Sequence, residues 1–178
     1  MGSNNDFVPK TDGVNHINIY TLGKTSLGKK LHHFRHMPFV HPVLGKFNSM
    51  EGLWHYVKMT EPDDAIRRLS GYDAKKFALK RERELGSKSV RRLDDFYDII
   101  NEANYYRITQ NQQLRDEFVA STLPFDHYYI HGERSLIVRP AEMRWLVNGY
   151  EELRVLIREG KQPKPANLDQ FFELAKTA

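Results

Sequence analysis

Phe47-Asn48-Ser49-Met50-Glu51-Gly52-Leu53-Trp54-His55-Tyr56-Val57-Lys58 carries two periodicities at once. Met50, Leu53, Trp54 and Val57 recur at i, i+3, i+4 and i+7, the spacing of a helix with one face against a core. Glu51, His55 and Lys58 recur at i, i+4 and i+7 on a second stripe. Asn48 or Ser49 supplies the side-chain oxygen that caps such a helix. The segment therefore predicts an amphipathic helix over 50–59 whose polar side gathers an acid, an imidazole and an amine, with Trp54 between the two stripes. The same spacing is also that of a surface helix with ordinary ion pairs, and it becomes a site only if the stripe faces a pocket. Glu51 in the first turn would feel the positive end of the helix dipole, which favours its charged form. A charged carboxylate can stabilise the positive charge that builds on a sugar carbon as a glycosidic bond breaks.

Working outward, His16-Ile17-Asn18-Ile19-Tyr20 alternates and reads as a short strand, and residues 1–13 read as a flexible polar leader. Gly23 to Lys46 reads as a long loop of functional composition, with Lys24, Lys29, Lys30, Phe34 and Arg35 among four histidines, His32, His33, His36 and His41. His33 and His36 have metal-pair spacing, but Pro38 and Pro42 argue against a regular helix and no Cys or nearby acid completes a tetrahedral set. Neither a metal nor a cofactor is expected.

Downstream of the central helix, Pro62 opens a further helix that Gly71 breaks, and Asp73 to about Glu84 continues helically. Gly86-Ser87-Lys88-Ser89 is a loop; Leu93, Phe96, Ile100 and Ala103 mark another helix, and Leu114 with Phe118 one more. Phe125 to Ile130 is aromatic and β-prone, Gly132-Glu133 turns the chain, and Ser135 to Arg139 is a partner strand. Pro140 begins a long helix ended by Gly160, a proline linker covers 161–166, and Asn167 caps a final amphipathic helix. The sum is an α+β fold, a mostly helical single domain over 14–178 with a small β-sheet.

Composition sets the outer bounds. A chain of 178 residues with 40% hydrophobic and 12% aromatic residues can bury a real core. Cysteine is absent, which removes disulfides and thiolate chemistry. No run approaches the ~20 apolar residues that a membrane span needs, and the opening Met1-Gly2-Ser3-Asn4-Asn5-Asp6 has no apolar signal core. These features lead to the expectation of a cytoplasmic monomer that does not engage a membrane. The net charge of +4 and the pairs Lys29-Lys30, Arg67-Arg68, Lys75-Lys76, Lys80-Arg81 and Arg91-Arg92 suit a phosphate-bearing ligand or nucleic acid, and equally suit solvated helix faces.

Pro124-Phe125-Asp126-His127-Tyr128-Tyr129-Ile130-His131 alternates aromatic and ionisable residues. As a core strand its aromatics simply pack. As a site it offers a carboxylate, an imidazole and phenols able to stack on a base or ribose. Walker A, dinucleotide, nucleophile-elbow and zinc-protease motifs are all missing; Gly23-Lys24-Thr25 lacks the upstream glycine of a phosphate loop.

Taken in order, these segments resemble the NADAR, or YbiA-like, family over roughly residues 16–158. Ile17-Asn18-Ile19-Tyr20 leads to Leu31-His32-His33-Phe34, where the family commonly has Leu-Ser-Asn-Phe. Ser49-Met50-Glu51 through Lys58 resembles its Ser-x-Glu-His-x-x-Gln-x-x-Lys helix, with Gly52 for the usual His and His55 for Gln. Gly71-Tyr72-Asp73-Ala74-Lys75-Lys76 is similar to its Ala-Lys segment, and Tyr106-Arg107-Ile108-Thr109-Gln110-Asn111 with Leu114 to its Gln-Asn helix. The usual Trp-Gly ending is absent, and the substitutions point to a divergent branch, phage-encoded or toxin–antitoxin-associated.

The resemblance implies cleavage of N-glycosidic bonds: removal of ADP-ribose from guanine in nucleic acid, countering a DNA ADP-ribosyltransferase toxin, or hydrolysis of riboflavin-pathway intermediates. In that reading Glu51 stabilises charge or orients water, Asp126 or His127 handles a proton, and Lys29 and Lys30 bind the pyrophosphate. Lys30 or Lys58 is the candidate for a lysine imine on the ring-opened sugar. Trp54 and Tyr128 are expected to stack on the base, with His33, Phe34, His55 and Gln110 also binding substrate. The expected partner is ADP-ribosylated DNA or nucleotide, met in the host cytoplasm if the protein is phage-encoded. The alternative from another class is a non-catalytic module that binds ADP-ribose or a nucleotide.

Overall fold

The computed structural model describes residues 6–86, 93–131 and 136–176. In chain order the described elements are β1 (Ile17–Asn18), α1 (Ser26–Leu31), β2 (Phe39–His41), β3 (Gly45–Phe47), α2 (Met50–Lys58), α3 (Gly71–Leu85), α4 (Phe96–Gln110), α5 (Gln112–Ala120), β4 (Phe125–Asp126), β5 (Tyr129–His131), β6 (Leu136–Val138), α6 (Arg144–Arg158) and α7 (Asp169–Lys176). The class is α+β, mostly helical with small sheets. The strands pair as β1 with β4, β2 with β3 and β5 with β6. The chain forms two interleaved compact units, residues 1–32 with 112–162 and residues 33–111 with 163–178.

The first unit is organised on β1 and β4, which run parallel with Ile17 opposite Phe125 and Asn18 opposite Asp126. Asn18 reinforces the pair through its side-chain amide, which donates to the Tyr128 carbonyl at 3.1 Å and accepts the Tyr128 amide at 3.0 Å. The stretch read as a leader contributes from Asp6 onward. Its Asp12 carboxylate accepts the Asn18 amide at 3.0 Å and the Lys24 amide at 2.6 Å, and Phe7 stacks on His16. Residues 1–5 lie outside the described part. Helix α6 covers this unit with Leu146, Tyr150, Leu153 and Ile157 buried at helical spacing, as its sequence predicts. It starts at Arg144 after a 3-10 turn over Ala141–Met143, rather than at Pro140.

Two sequence expectations change here. The supposed loop from Gly23 contains α1, whose cap Thr25 accepts the Gly28 amide. Its short length, with Gly28 inside it and Gly23 just ahead of it, hides the helical pattern. A Cβ at Gly28 would lie 2.2 Å from the Asn18 carbonyl oxygen, so glycine is what lets α1 sit against β1. The Phe125–Ile130 strand is also divided into β4 and β5, which pair with different partners.

The second unit is built on α2. Met50, Leu53 and Val57 are completely buried, and its cap is Ser49, whose hydroxyl accepts the Gly52 amide and donates to the Leu69 carbonyl. The hairpin β2–β3 also falls inside the supposed loop, with Phe39 opposite Phe47. The helix expected from Pro62 is a 3-10 segment, Asp64–Arg68, capped by Asp63. Gly71 opens α3 instead of ending a helix, and its φ of +55° explains the glycine there. Asn167 caps the last helix at the Asp169 amide, as expected. The predicted loop 86–89 falls outside the described residues after Gly86, and so does the turn at Gly132-Glu133.

Candidate active site

Two members of the polar stripe of α2, Glu51 and His55, are hydrogen-bonded to each other. Glu51 lies in the first turn, 9% exposed, and accepts a hydrogen bond from His55 Nε2 at 3.1 Å, one turn along. Its backbone amide donates to the His33 carbonyl at 3.1 Å, which ties the helix start to the preceding chain. A carboxylate held this way is oriented by the imidazole and sits at the positive end of the helix. Trp54 lies beside it, 5.7 Å from the His33 ring and 4.8 Å edge-on to Phe96, and Lys58 Nζ stands 5.9 Å from the indole centroid. His33 is buried, and Asn104 Nδ2 donates to its Nε2 at 3.4 Å. Asn104 escaped the sequence reading because it lies among the apolar residues of α4; a buried polar residue on a core face was the available signal.

The other expected residues of this unit take different roles. Gln110 spends both ends of its amide on the backbone of Val40, accepting its N–H at 2.8 Å and donating to its carbonyl at 2.7 Å. Both ends of the amide expected to bind substrate are thus engaged at the edge of β2. Phe34 is half-buried against Tyr72, with ring centroids 5.2 Å apart.

In the first unit, three expected site residues are already engaged. Lys30 is ion-paired with Glu117, which occupies the amine assigned to the pyrophosphate or the imine. Asp126, 2% exposed, accepts from Arg139 Nε at 3.1 Å and Arg144 Nη1 at 3.4 Å. The carboxylate expected to handle a proton is thus paired with two guanidiniums. Tyr128, expected to stack on a base, is completely buried, with Arg139 5.0 Å from its ring and its hydroxyl bonded to His16 at 2.8 Å. Burial pushes its phenol pKa up. Lys29 is exposed at the end of α1.

His127 is buried in a defined tautomer. Its Nδ1 donates to the Ile19 carbonyl at 2.6 Å, which leaves Nε2 to accept the Tyr129 hydroxyl at 3.0 Å. Desolvation lowers its pKa below the ordinary histidine value. The sequence does not single out Tyr129; the available signal is its i, i+2 spacing from His127, which the Tyr129 hydroxyl reaches across the break between β4 and β5. Among the described residues, no group of His, Cys, Asp or Glu can hold a metal ion, and no helix is long and apolar enough to cross a membrane.

The class that these elements define is an α+β protein, mostly helical with short paired strands, in which one capped helix carries a buried carboxylate. A solved structure of that class is the NMR structure of the E. coli protein YbiA, similar with a TM-score of 0.59 at 17% sequence identity, over 84% of this chain and 90% of that one. At that identity the likeness is one of fold. No protein-family model and no curated protein matches the chain.

Proposed function

We propose that the protein is an N-glycoside hydrolase that removes ADP-ribose from modified guanine in nucleic acid, with Glu51 as its central carboxylate. The observation that carries this reading is the Glu51–His55 hydrogen bond of 3.1 Å on the first turns of α2, beside Trp54. Cleavage of a ribosyl–base bond builds positive charge on the sugar carbon, and an oriented carboxylate opposes that charge or aligns the attacking water. The atoms balance simply: water adds its oxygen to the ribose carbon, and a proton goes to the departing guanine nitrogen. His55, donating to Glu51, holds the carboxylate in one rotamer. Trp54 offers an indole face to a base or ribose. The YbiA-like fold and the ordered resemblance to NADAR sequences support the reaction class. The test is incubation with an oligonucleotide bearing ADP-ribosylated guanine, followed by mass spectrometry. Release of ADP-ribose and restoration of guanine support the reading, and intact substrate after prolonged incubation rejects it.

A second reading, a non-catalytic ADP-ribose-binding module, is favoured by the occupied state of Lys30 and Asp126, which are paired with Glu117 and with Arg139 and Arg144. Saturable binding of ADP-ribosylated oligonucleotide without product would select it.

A further inference from the structure

Three aromatic residues stand exposed on the described surface of the second unit, Tyr72 at 70%, Tyr97 at 54% and Phe172 at 41%, and Tyr72 is the one with cations around it. Tyr72 is 70% exposed in the first turn of α3, although a ring of that size ordinarily covers core. Its ring edge meets Phe34 at 5.2 Å with an interplanar angle of 77°, and Lys75 Nζ lies 6.0 Å from the Phe34 ring centroid. Tyr72, Lys75, Lys76 and Leu79 follow at i, i+3, i+4 and i+7, so one side of α3 carries an aromatic, two exposed cations and a 43% exposed leucine. Phe34 is followed in the chain by exposed Arg35 and His36. Asp73 is an exposed acid in the same turn, and Lys80 is committed to Glu84 at 3.6 Å.

We infer that Tyr72 and Phe34, with Lys75, Lys76 and Arg35 around them, form a stacking platform for a single-stranded nucleic acid. An exposed ring gains by covering its face with another flat apolar surface, and every nucleobase has one. The cations beside the ring match the phosphates that link successive bases. An acidic or apolar protein partner would use only half of the patch. The glycine before Tyr72 keeps the site in place: Gly71 has φ +55° and its Cβ position lies 3.4 Å from the Phe34 carbonyl, so the start of α3 comes close to the Phe34 backbone. This inference rests on the proposed function for its biological sense, since it makes the substrate a strand instead of a free nucleotide, but its test is separate.

The experiment measures fluorescence polarisation of an unmodified, labelled single-stranded deoxyoligonucleotide against the full chain over a range of salt. Tyr72→Ala is expected to weaken binding about tenfold, in line with the loss of one stacked base, whereas Tyr72→Phe retains wild-type affinity. Lys75→Ala with Lys76→Ala is expected to flatten the salt slope by about two phosphate contacts. Thermal melts of these surface variants should match wild type, and a variant that melts early is replaced by Tyr72→Ser for the comparison. No binding by wild type, or equal binding by wild type and Tyr72→Ala, overturns the inference. Tyr72-dependent binding without base release leaves the platform standing and sinks the hydrolase. Base release with unchanged KM on an oligonucleotide substrate in Tyr72→Ala does the reverse.

Discussion

Glu51 Oε1 and His55 Nε2 lie 3.1 Å apart on successive turns of α2, with Glu51 91% shielded from solvent. Removing charge from one partner and orientation from the other should separate their roles. Glu51→Gln is expected to lower the rate of base release on the order of a hundredfold or more, the scale of a positioned acid–base group, with little change in melting temperature. His55→Gln, which keeps a donor, should lower kcat less. Single-turnover assays read both, and a fully active Glu51→Gln protein would remove Glu51 from the mechanism.

Gly52 stands where the sequences that this chain resembles commonly carry histidine, and placing histidine there should harm this chain. A Cβ at position 52 would lie 2.9 Å from the Ile66 carbonyl and 3.4 Å from the Ser49 hydroxyl. Gly52→His is therefore expected to cost about 2 kcal/mol through overpacking. Urea denaturation measures it, and an equally stable variant would show that the 3-10 segment can shift aside.

Asn18 joins β1 to the backbone of Tyr128 by two hydrogen bonds while only 1% exposed. Asn18→Ala leaves buried donor and acceptor groups without that partner, so a loss of about 3 kcal/mol is expected. Chemical denaturation checks the value. A change under about 0.5 kcal/mol, the usual range for an ordinary surface site, would mean other groups satisfy Tyr128.

His16 and His127 are both held below the ordinary histidine pKa of 6.5, with burial as the leading cause. The unfolded chain takes up protons near 6.5 while the folded chain resists them until lower pH, so the unfolded state binds more protons in that window. Stability should therefore be unaffected by these groups above the ordinary value and fall as pH drops below it. Melting temperatures from about pH 7.5 to about pH 5.5 test the sign. His127→Gln should show a shallower fall, and a wild-type curve that rises on acidification would contradict the assignment.

The local patterns that survived folding were those governed by a single element. The stripe Met50, Leu53 and Val57 buries as its spacing requires, and Leu146, Tyr150, Leu153 and Ile157 do the same on α6. Ser49 caps α2 because its own hydroxyl reaches the Gly52 amide three residues on. Glu51 and His55 meet for the same reason, since four residues of helix bring two side chains together without help from the rest of the chain.

What folding decided was the fate of residues whose partners are far away in sequence. Nothing in Lys30 announces Glu117, 87 residues on. Asp126 and Tyr128 read as site residues because carboxylates and phenols are chemically able; Arg139, Arg144 and His16 turn them into buried structure. Gln110 matches a family motif, yet its amide is fitted to the backbone of Val40, 70 residues away. Tyr72 shows the converse, an aromatic that a core would have taken but that packing leaves 70% exposed. The sequence by itself thus determined the class of the fold, the helix that carries Glu51 and the local pair it forms. Only the tertiary structure decided which polar groups are already satisfied by distant partners, because desolvation and hydrogen bonding depend on neighbours that no short stretch of chain specifies.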